Sequence, residues 1–373
     1  MKKQIFLSPP DVSNKEKDLL IDAFESNWIA PVGPSIDQFE KDLSNFIGVK
    51  GSCVLSSGTS ALHLALKILG VVKGDKVLCP SLTFAASANV ILYEQAIPIF
   101  IDVDPKNWVV NLDLLESAMK KYSPKAFIAV DLYGNPSNYS EIINLCKKYN
   151  VLLIEDAAES LGSSYRKSNC GSFGEIGILS FNGNKIITTS GGGALVSSNE
   201  EFTKKAKFLS TQAREPYIYY EHKELGYNYR MSNLLAAIGI GQLSKIDLFV
   251  KKRRENFKYY FDSLTKMNPI QFMEESANSI SNRWLTTLII DERKTGIKRD
   301  DIIKTLANER IEARPVWKPM HLQPLYDKQV FIKDDEDISK KLFDSGLCLP
   351  SGSNLNRFDQ NRIIDIIIDC LNE

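Results

Sequence analysis

The sequence predicts an α/β protein: a mostly parallel sheet of seven strands, followed by a smaller α+β unit. Three observations predict it. Apolar runs of four to seven residues alternate with amphipathic segments through the first two-thirds of the chain, the pattern of strands joined by right-handed crossover helices. Beyond about residue 245 this alternation gives way to one long charged helix, "SKIDLFVKKRRENFKYYFDSL", and a few mixed elements. A length of 373 residues is also more than one small core serves. We therefore expect a large domain with an N-terminal arm over 1–245 and a small C-terminal domain over 246–373.

The elements follow in order. "GSCVL" precedes a helix in "SALHLALKILG", where Leu62, Ala65, Leu66 and Leu69 make one apolar stripe. "DKVLCP" precedes helical "SANVILYE", and "IPIFIDV" follows. "KAFIAVDLYG" leads into "YSEIINLCKKYN", then "VLLIEDAAES", "GILSF" and "GGALVSS" complete seven strands. In the second unit "WLTTLIID" reads as a strand, "RDDIIKTLANER" as a helix, and a last helix starts near Gln360.

Composition narrows the function classes. Lys+Arg and Asp+Glu both total 46, so no global field draws in nucleic acid or an acidic membrane. The run Lys251-Lys252-Arg253-Arg254 reads as a solvated helix face. The N-terminal apolar run is too short for a secretory signal, which needs roughly 7–15 residues, and no window approaches the ~20 apolar residues of a membrane span. The six cysteines show no CxxC and read as reduced, mostly core thiols, so a cytoplasmic protein is expected. Three scattered histidines give a metal site no support.

Chemistry concentrates in a few stretches. In "SFNGNKIITTSGGG" (180–193) a single lysine, Lys185, lies among small polar residues with no acid beside it in sequence. It fits a hairpin tip, or a lysine that forms a Schiff base with a carbonyl cofactor. Ser57-Gly58-Thr59-Ser60 opens a helix directly after a strand and offers unpaired amides and hydroxyls, a phosphate cup or an ordinary cap. Asp156 ends a strand, where it either caps a turn or faces a ligand. A carboxylate there could keep a pyridine nitrogen protonated. Ser180 ends the next strand, and Phe84 in "TFAAS" is either core or a ring that stacks on a flat cofactor. "GYNYRMSN" gathers Asn228 and Arg230 before an Ala/Gly-rich helix. Phosphate cup, strand-end acid, strand-end serine and isolated lysine occur in that order.

The wording of these stretches resembles the DegT/DnrJ/EryC1/StrS family of sugar aminotransferases. The likeness runs over nearly the whole chain, through "SNWIAPVGP", "SSGTSALHLAL", "PSLTFAASAN", "FIDVDP", "DLYGNP", "IEDAAESLGS", "RPVWKPMHLQPLY" and "LCLPSG". It implies pyridoxal 5′-phosphate as cofactor on an aspartate-aminotransferase-type (type I) fold. Under it, Lys185 is the Schiff-base lysine and general acid–base, Asp156 the pyridinium partner and Phe84 the stacking ring. Gly58, Thr59 and Ser180 match phosphate contacts, and Asn228 a contact reaching in from the neighbouring subunit of a homodimer. Glu159 departs from the family pattern, in which many members carry Gln or His near the cofactor ring. Members that remove a hydroxyl carry His at the position of Lys185, and a regulatory relative would lose Lys185 or Asp156; this chain keeps both. The resemblance further implies L-glutamate as donor and a nucleotide-linked 4-keto-6-deoxy sugar as acceptor. "NGNKIITTSGGG", "LSTQARE", "YNYRMSNLLAAIG" and "ISNRWLTT" are similar to the enzymes of bacillosamine-type pathways, which take UDP-linked N-acetyl sugars; dTDP- and GDP-linked sugars are the alternatives. Trp28, Arg230, Trp284 and His321 are candidate contacts to that acceptor.

Overall fold

The computed structural model describes residues 3–372. The seven expected strands are present: β1 (Gly51–Leu55), β2 (Lys76–Pro80), β3 (Ile97–Ile101), β4 (Ala126–Val130), β5 (Leu152–Asp156), β6 (Ile176–Ser180) and β7 (Gly193–Ser197). Near-continuous burial along each explains why they read as plain apolar runs. Three short strands, β8 (Ile270–Phe272), β9 (Thr286–Ile290) and β10 (Arg314–Pro315), follow, then β11 (Val330–Ile332) and β12 (Gly346–Leu349).

The main sheet has eight strands in the order β1-β7-β6-β5-β4-β2-β3-β11. All neighbours are parallel except β7, which runs antiparallel to both β1 and β6. The eighth strand corrects the expected seven. "VFI" is too short to stand out in sequence, and it joins as an edge strand beside β3. A second sheet, β8-β9-β12-β10, carries its own apolar cluster with the helices Arg299–Asn308 and Arg357–Asn372.

Helix Gly58–Ile68 is buried on almost every side and not only along the Leu62–Leu69 stripe, because it wedges between the sheet and neighbouring helices. That burial fixes its N-terminus against the sheet's carboxyl edge. The long helix Ile246–Leu264 corrects the reading of its basic run as wholly solvated: Arg253 is 1% exposed. Its guanidinium donates to the Trp284 and Ser351 carbonyls and to Ser8 Oγ, so it ties the N-terminal arm to the second sheet's loops. No single helix among the described residues is long and apolar enough to cross a membrane.

Candidate active site

The carboxyl ends of β1, β2, β4, β5 and β6 lie along one edge of the sheet, the place where open α/β sheets bind ligands. At the end of β1 the chain turns straight into helix Gly58–Ile68. Ser57 caps it, its Oγ accepting from Ser60 N at 3.0 Å. Gly58 and Thr59 occupy the first turn, where amides have no partner inside the helix and the dipole is positive. Ser180 adjoins this turn, since a Cβ at Gly58 would stand 3.2 Å from Ser180 Cβ. The first residue of β7, Gly193, crosses even closer: a Cβ there would lie 2.3 Å from Gly58 N. The three nearest atoms there, Gly58 N, the Ser57 carbonyl carbon and the Leu179 carbonyl oxygen, are all backbone and cannot swing away. Gly193→Ala is therefore expected to cost about 1–3 kcal/mol and to weaken anion binding at the helix start, read from thermal unfolding with and without phosphate.

Asp156 ends β5 and turns into the same cavity, while Glu155, one residue earlier, points to the other face and accepts from the Gly171 and Phe173 amides. Ser87 Oγ donates to Asp156 Oδ2 at 2.7 Å, and Ala158 N donates to Oδ1. Burial pushes the Asp156 carboxyl above its ordinary range, and these two bonds and the charge of Lys185 pull against that. The carboxyl is thus held in place and short of positive charge.

Lys185 lies on the loop between β6 and β7. The carbonyl of the preceding residue, Asn184, accepts from Ser8 Oγ and from Trp284 Nε1, both at 2.7 Å, so two distant segments pin the loop. Lys185 Nζ sits 4.1 Å from the centre of the Trp284 ring and donates to Glu159 Oε1 at 3.2 Å. This corrects the expectation of a lysine without an acid partner: the partner is 26 residues away in sequence and adjacent in space. Burial raises Glu159 to about 7, with Lys185 and the amide of Tyr133 lowering it and Asp156 raising it.

One cavity of about 320 Å³ collects most of the predicted residues, a size in the range of small-molecule sites. Gly58, Thr59, Ser180 and Phe84 line it, as do Asp156, Glu159, Lys185 and Trp284. Phe84 is 56% exposed at the mouth, its ring centre 5.2 Å from that of Trp317. Trp317, Ser87 and Asn182 also line the cavity. Sequence reasoning singled out none of the three, although "RPVWKPMH", "TFAAS" and "SFNGNK" contain them.

Four predicted residues lie elsewhere. Asn228 and Arg230 line a second concavity of about 520 Å³ with Pro31, Arg214 and Tyr220. Arg230 Nη1 donates to Glu40 Oε1 at 2.8 Å and to the Val54 carbonyl, so one end of this guanidinium is tied to its own subunit's packing. Trp28 is 45% exposed, away from both cavities, and its carbonyl accepts from Asn233 Nδ2. His321 is half of a structural tie: Nδ1 meets Ser81 Oγ at 2.6 Å, Nε2 meets Asp337 at 2.9 Å, and the ring stacks on Phe331. Both ring nitrogens are used, which leaves none for a ligand.

The cavity suits pyridoxal phosphate on its donor set. It combines unpartnered first-turn amides and hydroxyls for a phosphate, a buried carboxyl lacking a full counter-charge for a pyridine N–H, and an amine for an aldehyde. Phe84 supplies an exposed ring at the mouth.

Comparison with known proteins agrees with this arrangement. The chain is 50% identical over 375 residues to EpsN of Bacillus subtilis, provisionally named a pyridoxal phosphate-dependent aminotransferase, covering 99% of this chain and 96% of that protein. It is 34% identical over 371 residues to the GDP-perosamine synthase of Escherichia coli O157:H7 (100% and 98% covered). It is 33% identical over 376 residues to a UDP-4-amino-4,6-dideoxy-N-acetyl-β-L-altrosamine transaminase of Campylobacter jejuni (98% and 97% covered). Its fold matches Spr1654 of Streptococcus pneumoniae, provisionally named a sugar aminotransferase, in its PLP form with a TM-score of 0.91, at 26% identity over 99% of each chain. Residues 10–368 match one family throughout, and the chain belongs to it: the DegT/DnrJ/EryC1/StrS aminotransferase family.

Proposed function

We propose that this sugar aminotransferase takes the amino group of L-glutamate and places it on the 4-keto carbon of a UDP-linked 4-keto-6-deoxy-N-acetylhexosamine, with pyridoxal phosphate as cofactor. The observation that carries the aminotransferase reading is that Lys185, Asp156 and the helix start at Gly58–Thr59 share one cavity. Bound pyridoxal phosphate supplies an aldehyde and an electron-withdrawing ring that stabilises negative charge on a donor's α-carbon. The chain's own residues do the rest. Gly58, Thr59 and Ser180, which line the cavity at the helix start, would hold the phosphate end. Asp156, fixed by Ser87, keeps the ring nitrogen protonated. Lys185 would supply the amine that meets the aldehyde, and its free amine would carry the proton to and from the donor's α-carbon. Trp284 packs its ring against the Lys185 amine and excludes water there.

Similarity in "NGNKIITTSGGG", "LSTQARE" and "ISNRWLTT" supports the UDP-linked acceptor. Identity is 34% to the GDP-sugar relative and 33% to the UDP-sugar relative, so overall identity does not favour the UDP-linked acceptor. We expect kcat/KM for UDP-4-keto-6-deoxy-N-acetylglucosamine to exceed that for the dTDP-4-keto-6-deoxyglucose and GDP-4-keto-6-deoxymannose analogues. An N-acetyl group that meets a polar partner gives roughly 5- to 150-fold discrimination. Preference for either analogue refutes the acceptor and leaves the aminotransferase intact.

We further propose a homodimer with shared sites, in which the second concavity faces the partner's cavity and Asn228 reaches its phosphate. Exposed Trp28, Ile29, Val32, Tyr217, Ile218 and Tyr220 supply an apolar surface for such an interface. Dimers mixed from Asn228→Ala and Lys185→Ala chains are expected to regain activity, because one site then carries both lesions and the other neither. Mixing that restores nothing would place Asn228 in its own chain's site.

A further inference from the structure

We propose that Glu159 is the proton partner of Lys185: its Oε1, 3.2 Å from Nζ, takes the surplus proton of the free ammonium and later returns it, a duty an amide at this position could not perform. The inference rests on the reading of Lys185 as the lysine that anchors the cofactor. The step balances simply. The N–H bond on Nζ breaks and an O–H bond forms on Oε1, so an ammonium–carboxylate pair becomes an amine and a carboxylic acid. Only the neutral amine has the lone pair that a base or nucleophile requires.

The geometry is built for one acceptor. The two Glu159 oxygens divide their work: Oε1 faces Lys185, and Oε2 accepts from the Tyr133 amide at 2.6 Å. Tyr133 reaches that amide position by adopting a left-handed backbone (φ 53°), a strained arrangement in a non-glycine residue that clusters at functional sites. Asn282 Nδ2 donates to the Glu159 carbonyl and holds the backbone behind it. Glu159 is 5% exposed, and Lys185 is the one cation it pairs with among the described residues. The other titratable groups facing it are Asp156 from β5, Tyr133 after β4 and Cys348 from β12. Burial pushes the Tyr133 hydroxyl well above its ordinary range and raises the Cys348 thiol to about 12, so both stay neutral as Glu159 titrates.

Raised to about 7, Glu159 is a carboxylate above that pH and a neutral acid below it. Its capacity to accept from Lys185 is therefore present above pH ~7 and lost as pH falls through ~7. The test uses protein loaded with pyridoxamine phosphate, which leaves the Lys185 amine free, and glutamate ¹³C-labelled at the side-chain carboxyl. We expect one carboxyl resonance to titrate near pH 7, to vanish in Glu159→Gln, and to titrate at higher pH in Lys185→Ala, where the cation that lowers it is gone. In turnover, Glu159→Gln is expected to lose about 10- to 100-fold in kcat/KM at pH 8 together with the acid limb near 7, and Glu159→His, which keeps an accepting nitrogen, to regain part of both. Wild-type kcat/KM and an unchanged acid limb in Glu159→Gln would overturn the proposal. Should the wild type turn over no amino donor at all, the aminotransferase reading fails and the resonance alone decides. A midpoint that Lys185→Ala leaves in place, or a Glu159 ionised down to the usual carboxylate range, overturns the partnership; a raised midpoint sustains it.

Discussion

Lys185→Ala is expected to leave a folded protein that has lost turnover by about 10³-fold or more. Two functions vanish with one amine: the covalent anchor for the cofactor's aldehyde and the group that moves the proton at the donor's α-carbon, itself worth roughly 10²–10⁴ in rate. Folding should survive because the loop does not depend on the side chain. Asn184 O remains held by Ser8 and Trp284, and the Lys185 amide still donates to Asn182 O. The measurement pairs the rate of glutamate-dependent transamination with thermal unfolding. A variant that unfolds at the wild-type temperature and retains more than a tenth of the rate would remove Lys185 from the chemistry.

Asp156→Asn is expected to retain cofactor and lose at least about 10²-fold in rate, a barrier increase of about 2.7 kcal/mol. The substitution is nearly isosteric: the amide oxygen can still accept from Ala158 N, and Nδ2 can donate to Ser87 Oγ with that bond reversed. What it cannot do is carry the negative charge that holds a pyridine nitrogen protonated. The deficit should fall on kcat more than on KM, because the protonated ring acts chiefly in the transition state. Turnover near wild type would reduce Asp156 to a turn cap.

Much of this is legible in the sequence. The seven expected strands could be read because two-sided burial writes each as a mostly apolar run, as in "AFIAV" of β4. The edge strand β11 could not be, since three half-exposed residues carry no period, and its place beside β3 is a long-range fact. Residues on a strand end or helix start, Asp156, Ser180, Gly58 and Thr59, line one cavity, because the sheet's carboxyl edge turns chain position into spatial position. Residues brought in from loops of the second half fared worse. Trp317 was missed although it lines the cavity, and His321, four residues on, was assigned to substrate although both its nitrogens are spent on Ser81 and Asp337. Glu159 and Lys185 show the same limit: an isolated amine in sequence is half of a buried pair in space. Arg253 misled for a related reason, since a basic run on one helix can turn a single member inward.

The central claim is that Lys185 is the residue to which the cofactor is attached. Borohydride reduces a C=N link to a stable amine, so treatment of the cofactor-loaded protein followed by proteolysis and mass spectrometry locates the attachment site. We predict the reduced cofactor on the peptide containing Lys185 and its absence from Lys185→Ala protein treated in the same way. Attachment to a different lysine, or none in cofactor-loaded wild type, would contradict the account.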